Sequence, residues 1–256
     1  RNPSRRKESI PLIEQHIRRF EDELVAIRHD LHEHPELAFE EHRTSEVVAQ
    51  KLTEWGFKVE RGLAKTGIVA TLQNGGGNRS IGIRADMDAL PIPEETGRPY
   101  ASKSPGKMHA CGHDGHTTML LGAARYLAET KSFNGTVHLI FQPAEEDIGG
   151  ARVMVEEGLF QKHPCDAVFA MHNEPGTPVG ELGVRKGIMM AAVDQVQITI
   201  RGKGGHGASP HETIDPIVAG ASLVMALQTV VARTNDPLHP AVVTVGCLRA
   251  GAVCNV

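Results

Sequence analysis

At 256 residues the chain is long enough for one large domain or two smaller ones. Its net charge of -4 gives no footing for a nucleic-acid backbone or an anionic membrane surface. No run of apolar residues approaches the ~20 that span a bilayer, the basic segment Arg1–Glu8 lacks the apolar core of a signal peptide, and four scattered cysteines without a disulfide framework point to a reducing cytoplasm.

Ile10, Ile13, Ile17, Leu24, Ile27 and Leu31 recur at helical spacing and predict a long amphipathic helix ended by Pro35. His29, His32, His34 and His42 lie on or just beyond it. They read as solvated or capping residues, because neither a cysteine nor clustered acids stand beside them. A second helix is expected from Glu41 to Trp55, with Gly56 as its stop. Two strands follow, Gly67–Gln73 and Ser80–Ala85, joined by Asn74-Gly75-Gly76-Gly77-Asn78, a hairpin signal. The second strand runs straight into Asp86-Met87-Asp88.

The stretch His109-Ala110-Cys111-Gly112-His113-Asp114-Gly115-His116 holds one thiol, three imidazoles and a carboxylate. Its glycines let the backbone turn sharply, and Leu120, Leu121, Ala124 and Leu127 continue it as an apolar helical face. It reads as a loop entering a helix, with Cys111 and His113 facing one point. Thiolate and imidazole suit zinc and other late divalent metals, and carboxylates widen the choice towards manganese.

A further apolar strand, Gly135–Gln142, ends in Pro143-Ala144-Glu145-Glu146-Asp147. Gly149–Glu157 looks helical, and a strand over Asp166–Met171 ends at His172. Asp86, Asp88, Glu145, Glu146 and His172 thus each follow the carboxyl end of an expected strand, the edge where open α/β sheets bind ligands. With the Cys111 loop, four segments converge on one rim.

Beyond Val179–Val184, another apolar stretch, the pattern changes. Val193–Arg201 alternates like a half-buried strand, residues 202–207 form a glycine-rich turn, a helix is expected over Thr213–Arg233, and a strand over Ala241–Leu248. Two domains are expected, 1–189 and 190–256. The turn lacks the ending of a phosphate loop and no nucleophile elbow occurs, which argues against a P-loop protein and a serine hydrolase. Two strands and one helix have little to bury their sheet against, so the second domain reads as truncated.

RADMDALP (84–91), HACGHDGHT (109–117), FQPAEE (141–146), Met171-His172-Asn173 and Gly204-Gly205-His206 occur in this order and at this spacing. Together they resemble the N-acyl-amino-acid amidohydrolases. These comprise hippurate hydrolases, plant auxin-conjugate hydrolases and bacterial relatives, within the wider aminoacylase and carboxypeptidase G group of dimetal enzymes. The resemblance runs from Ile10 to the last residue. It implies an α/β fold: a mixed-sheet catalytic domain with helices on both faces, split around an inserted α+β lid that is incomplete here. It implies two divalent ions per site, zinc or manganese first, with nickel and cobalt as further candidates. Cys111, as a shared thiolate, and His113, Glu146 and His172 are the implied metal ligands. Glu145 is the implied general base, and Asp88 orients a ligand; the wider group commonly carries a histidine where this chain has Asp86. A further ligand histidine has no counterpart before residue 256.

The reaction implied is hydrolysis of the amide of an N-acyl or N-aroyl amino acid to a carboxylate and a free amino acid. The partner is that small molecule, with a homodimer through the lid and no nucleic acid or membrane. His206, on its glycine turn, is a candidate donor to the tetrahedral oxyanion and reads equally as a surface histidine; Asn255 is a candidate substrate contact. A dipeptidase or an N-acetyl-diaminopimelate-type deacylase would use the same centre. The alternative of another class is a decayed, non-catalytic metal-dependent binding protein, against which intact Glu145 and Glu146 argue.

Overall fold

The computed structural model describes residues 12–146 and 149–256, so Ile10 and Asp147 lie outside the described residues. The chain divides into two compact units, Arg1–Val179 and Gly180–Val256.

In the first unit the expected N-terminal helix runs over residues 12–17, tightens through a 3-10 turn at Arg18–Phe20 and continues as α1, Glu21–Glu33. α2, His42–Glu54, buries Thr44, Ser45, Val48, Ala49 and Leu52 on one face. Its first free N–H groups are met from upstream, where the Glu36 carboxylate accepts from Arg43 N at 2.9 Å and Thr44 N at 2.8 Å. The helix ends as expected at Gly56, whose φ of +84° suits a residue without Cβ.

A five-stranded mixed sheet lies against these helices in the order β1-β2-β4-β3-β5. Its strands are β1, Lys58–Leu63; β2, Gly67–Asn74; β3, Ser80–Asp86; β4, Gly135–Gln142; and β5, Ala167–Ala170. β3 pairs in parallel with both β4 and β5, while β2 is antiparallel to β1 and β4. The hairpin expected between β2 and β3 is therefore not formed. β4, the strand buried along nearly its whole length, takes the place between them. The glycine turn is real, with Gly75 at φ +69°, but it packs on the approach to β4. There Gly77 N donates to Asn134 Oδ1 at 2.8 Å, and Asn74 Nδ2 donates to the carbonyls of Lys131 and Phe133. The partner of β2 on its other edge, β1, carries too few apolar residues for its sequence to mark it as a strand.

The expected helix after the thiol–histidine loop is α3, His113–Thr130. Two short helices, α4 over Gly150–Glu156 and α5 over Leu159–Lys162, connect β4 to β5. One sheet face buries Ile68, Ala70, Ala85, Val137, Leu139 and Phe141 against α1, α2 and α3. The other packs Val69 and Ile140 against Met154 and Leu159 of α4 and α5. The chain leaves β3 through α3 to one neighbour and returns through α4 and α5 to the other. β3 is thus the point where strand order reverses, and the carboxyl ends of β3, β4 and β5 border one crevice.

The second unit contains α6, Pro216–Thr229, extended by a π-turn over Val230–Thr234. Asp215 caps it, accepting from Ile217 N at 2.8 Å and Val218 N at 3.3 Å, and Pro216 occupies the first turn, where no N–H is needed. The segments expected as strands, Val193–Arg201 and Ala241–Leu248, form none. Among the described residues this unit has one isolated bridge, Lys203 with Ile214. Alternation marks an apolar face but supplies no ladder partner, and a strand exists only with one. A second expectation also changes. Residues Pro216–Thr234, with mean hydropathy 1.5, are long and apolar enough to cross a membrane by length and composition. Gly220, Ser222 and Gln228 break the run that a residue-by-residue reading looks for.

Candidate metal centre

Three connections deliver side chains to the crevice. The turn before α3 is held by Gly112 at φ +88°, where a Cβ would also stand 2.5 Å from Asn173 Oδ1, so that only glycine fits. This seats Cys111 beside the loop after β5, with its Sγ 3.4 Å from His172 Nε2. His113 and His116, three apart on the first turn of α3, share its buried face. Asp86 ends β3, and Glu145 and Glu146 follow β4.

The ring nitrogens can be assigned from their partners. His113 Nδ1 lies 3.2 Å from Asp88 Oδ1, and Asp88, held below the usual carboxylate range, can only accept. Burial works against that charge, but the His113 bond and the Glu146 and Glu145 N–H groups outweigh it. His113 Nε2 is then a bare lone pair. It faces Asp86 Oδ2 and Glu146 Oε1, each at 3.7 Å, and Glu145 Oε2 at 3.9 Å. His172 repeats the pattern: Nδ1 donates to the Asn173 carbonyl at 2.7 Å, which frees Nε2 towards Cys111.

Three groups of side chains are close enough to hold a metal ion: Cys111, His113 and His172; His113, Glu145 and Glu146; and Asp86, His113 and His116. In the third, Asp86 and His116 already have other partners. Asp86 accepts from His116 Nδ1 at 2.6 Å and from Arg84 Nη1 at 2.7 Å, and His116 Nε2 accepts from Asn173 N at 3.1 Å. His113 Nε2 and Glu146 Oε1, by contrast, are buried and have no hydrogen-bond partner. Ligands bound at roughly 2.0–2.3 Å to one tetrahedral ion stand about 3.5 Å apart. The spacings between Cys111 and His172 and between His113 and Glu146 suit such an ion. The soft thiolate, imidazole and carboxylate donors suit zinc or manganese. Asp86 and His116, which the sequence reading did not assign, form the wall behind this set.

The electrostatics describe a site short of positive charge. Burial pushes the Cys111 thiol up to about 12, reinforced by Glu146, Glu145 and Asp86. Burial and the neighbouring Glu146 raise Glu145. Asp86 is held down to about 2, because His116, Arg84 and His113 outweigh its burial. His113 loses basicity to burial but gains more from Asp88 and Asp86, so it is raised overall.

Beneath the loop lies a polar group that overturns one reading. His32 is buried, with Nδ1 2.9 Å from Asp114 Oδ2 and Nε2 3.3 Å from Glu94 Oε1. It is not solvated, because its acidic partners arrive from distant parts of the chain. Nearby His109 is only 4% exposed, and neither ring nitrogen has a partner. Burial lowers it to about 4, with the Asp114 charge opposing and the His113 and His32 charges assisting. The unfolded chain, with a histidine near 6.5, binds this proton first. The contribution of His109 to folded stability is therefore fully present above about pH 6.5 and is lost as pH falls from there to about 4, by on the order of 3 kcal/mol, while the raised His32 and His113 work in the opposite sense. Urea denaturation of chelated protein at pH 7.5 and 4.5 checks this. His109→Leu is expected to shrink the difference, and an unchanged difference counts against a buried neutral His109.

In the second unit, His206 Nδ1 accepts from Ala208 N at 3.1 Å, and Gly207 N donates to the Asn255 carbonyl at 2.9 Å. The glycine turn that carries His206 and the segment that carries Asn255 are thus joined, far apart as they are in sequence.

Comparison with known proteins places this arrangement. Residues 82–250 match the peptidase family M20/M25/M40. A hippurate hydrolase of Campylobacter jejuni is 50% identical over 234 residues, covering 91% of this chain and 61% of that protein. An N-acetyl-L-cysteine deacetylase of Bacillus subtilis is 46% identical, covering 92% of this chain and 56% of that protein. A solved Bacillus subtilis structure, described as a dinuclear metal-binding peptidase of the M20 family, is 39% identical with a TM-score of 0.66, covering 83% of this chain and 57% of that one. The chain therefore spans about three fifths of the length of these relatives. A match over residues 82–250, together with a mixed sheet whose switch point carries a metal-ready crevice, shows that this chain belongs to peptidase family M20/M25/M40.

Proposed function

We propose that the protein hydrolyses the amide of N-acyl or N-aroyl amino acids, releasing a carboxylate and a free amino acid. The observation that carries this reading is the pair of buried, unpartnered atoms His113 Nε2 and Glu146 Oε1, 3.7 Å apart beside a second carboxylate, Glu145. The named activities of the similar hippurate hydrolase and N-acetyl-L-cysteine deacetylase support it.

In this reading Cys111, His113, Glu146 and His172 would hold a pair of divalent ions, zinc or manganese. When bound, the ions polarise the amide carbonyl and make water acidic enough to attack at neutral pH. Glu145, raised by burial and by its neighbour, takes the proton of the attacking water and passes it to the leaving amine nitrogen. Asp88 accepts from His113 Nδ1 and, at 3.0 Å, from Glu146 N, so one carboxylate orients two ligands. His206 donates to the tetrahedral oxyanion, and Asn255 touches the substrate from the same turn cluster.

We read the second unit, including residues 190–256, as a lid that forms a homodimer and carries His206 to the partner subunit's site. Ile217, Val218 and Met225 of α6 are 47%, 62% and 69% exposed within this unit, more apolar surface than a short helix leaves without a partner. The free cysteines fit a cytoplasmic enzyme.

A hydrolysis screen of full-length protein tests the function. N-benzoylglycine, N-acetyl amino acids and dipeptides are offered with Mn²⁺ or Zn²⁺. Cleavage of the acyl or aroyl substrates, abolished by chelation and restored by metal, is expected. Cleavage of dipeptides alone, or activity indifferent to chelation, refutes it.

A further inference from the structure

The turn that carries Glu145 and Glu146 is held in a conformation that its own residues do not favour. Ala144 has φ +52°, in the left-handed region that costs an L-residue roughly 1–2 kcal/mol. It is fully buried. Its carbonyl accepts from Gly150 N at 2.9 Å, and Gly150 comes so close that a Cβ there would stand 1.9 Å from the Pro143 carbonyl oxygen. Its own N–H donates, at 2.9 Å, to Oε1 of Glu41, a residue 103 positions earlier at the start of α2.

Glu41 is an unusual residue to find there. Its side chain is fully buried, yet among the described residues it forms no ion pair. Oε2 accepts from Thr66 Oγ1 at 2.6 Å, in the turn between β1 and β2, and the N–H groups of Glu41 itself and of Phe39 also point to the carboxylate. Burying a carboxylate without a cation costs several kcal/mol, and helix α2 gains no side-chain cap from it. The contact that reaches the functional rim is the one to Ala144.

We infer that Glu41 is a positioning residue, whose buried carboxylate holds the left-handed Ala144 turn and thereby aims Glu145 and Glu146 into the crevice. The clamp has two sides. Glu41 fixes the turn at Ala144 N, and Asp88 fixes it two residues later at Glu146 N, 3.0 Å away. With the first released, Ala144 relaxes towards negative φ and the following peptide planes swing, moving the base and the ligand together. This inference rests on the roles given above to Glu145 and Glu146.

The test uses full-length protein, Mn²⁺ titration calorimetry, steady-state hydrolysis of N-benzoylglycine and urea midpoints. Glu41→Gln keeps an acceptor for Ala144 N, and its Mn²⁺ affinity is expected to stay within about threefold of wild type. Glu41→Asp keeps the charge but draws the carboxylate back. It is expected to weaken Mn²⁺ binding about 10–100-fold, the usual loss when a ligand's outer support is removed, and to lower kcat more than it raises KM. Ala144→Gly in the Glu41→Asp background, which removes the cost of positive φ, is expected to recover part of that affinity. A merely structural Glu41 would shift the urea midpoint and leave the Mn²⁺ affinity of the folded protein unchanged. That result, a Glu41→Gln variant weaker by more than threefold, or no recovery in the double variant overturns the inference. Wild-type protein that binds Mn²⁺ but cleaves no amide instead removes the proposed function, and the affinities still decide the role of Glu41.

Discussion

Glu145→Gln is expected to keep its bound metal and lose about 10²–10⁴-fold in turnover, the scale of a missing general base. Glutamine matches glutamate in size but cannot take up the proton of water. The neighbouring change, Glu146→Gln, is expected to lose metal as well. The structure separates the two residues although they are adjacent. Glu146 is the inner one, with a backbone N–H bound to Asp88 and a buried, unpartnered Oε1 3.7 Å from His113 Nε2. Glu145 lies further out, its side chain 41% exposed and 3.9 Å from the same nitrogen, where water and substrate can reach it. Its pKa, raised by burial and by Glu146, moves it towards the range in which a carboxylate can accept and return a proton. Metal content after dialysis and turnover of N-benzoylglycine, measured on both variants, check the division of labour. Equal metal loss in both removes it.

Much of the rim was legible because the chemistry is local in sequence. Cys111, Gly112 and His113 stand in one turn, Glu145 and Glu146 are adjacent, and each acidic or histidine segment follows an apolar run ending in Asp86, Gln142 or Ala170. The parallel pairing of β3 with β4 and β5 brings those ends together as expected. What the sequence hid was pairing between distant segments. A glycine-rich turn reads as a hairpin because turn chemistry is local, whereas the insertion of β4 between β2 and β3 depends on the crossover through α3. His32 lacked acidic neighbours in sequence, and its partners Asp114 and Glu94 arrive only with the fold. Glu41 gave no sequence signal, since its value lies in a hydrogen bond to Ala144. His116 was legible in principle: three positions after His113 on a helix, it had to share the face of that histidine. In the second unit the alternating segments could not announce whether a ladder partner was available.

The second large effect concerns His206, which lies in the unit that holds none of the candidate metal ligands. If the lid unit pairs two subunits and His206 completes the partner subunit's site, two inactive variants must rescue each other. His206→Ala leaves Glu145 intact, and Glu145→Gln leaves His206 intact. Each homodimer then lacks one of the two groups in both sites. A mixed dimer contains one site with neither defect and one site with both. Random pairing of equal amounts makes half of the dimers mixed, each with one good site of two. The ceiling is therefore about a quarter of wild-type activity, as closed two-fold pairing requires. Against Glu145→Gln alone, that is a recovery of about 25-fold to 2,500-fold, a quarter of the 10²–10⁴-fold loss. Mixing under conditions where subunit exchange is verified by mass, followed by the N-benzoylglycine assay, reads it directly. Rescue by the mixture but not by two copies of the same variant places His206 across the dimer. Exchange without rescue places it in the site of its own chain or in none, and the reading of the second unit as a shared lid then fails.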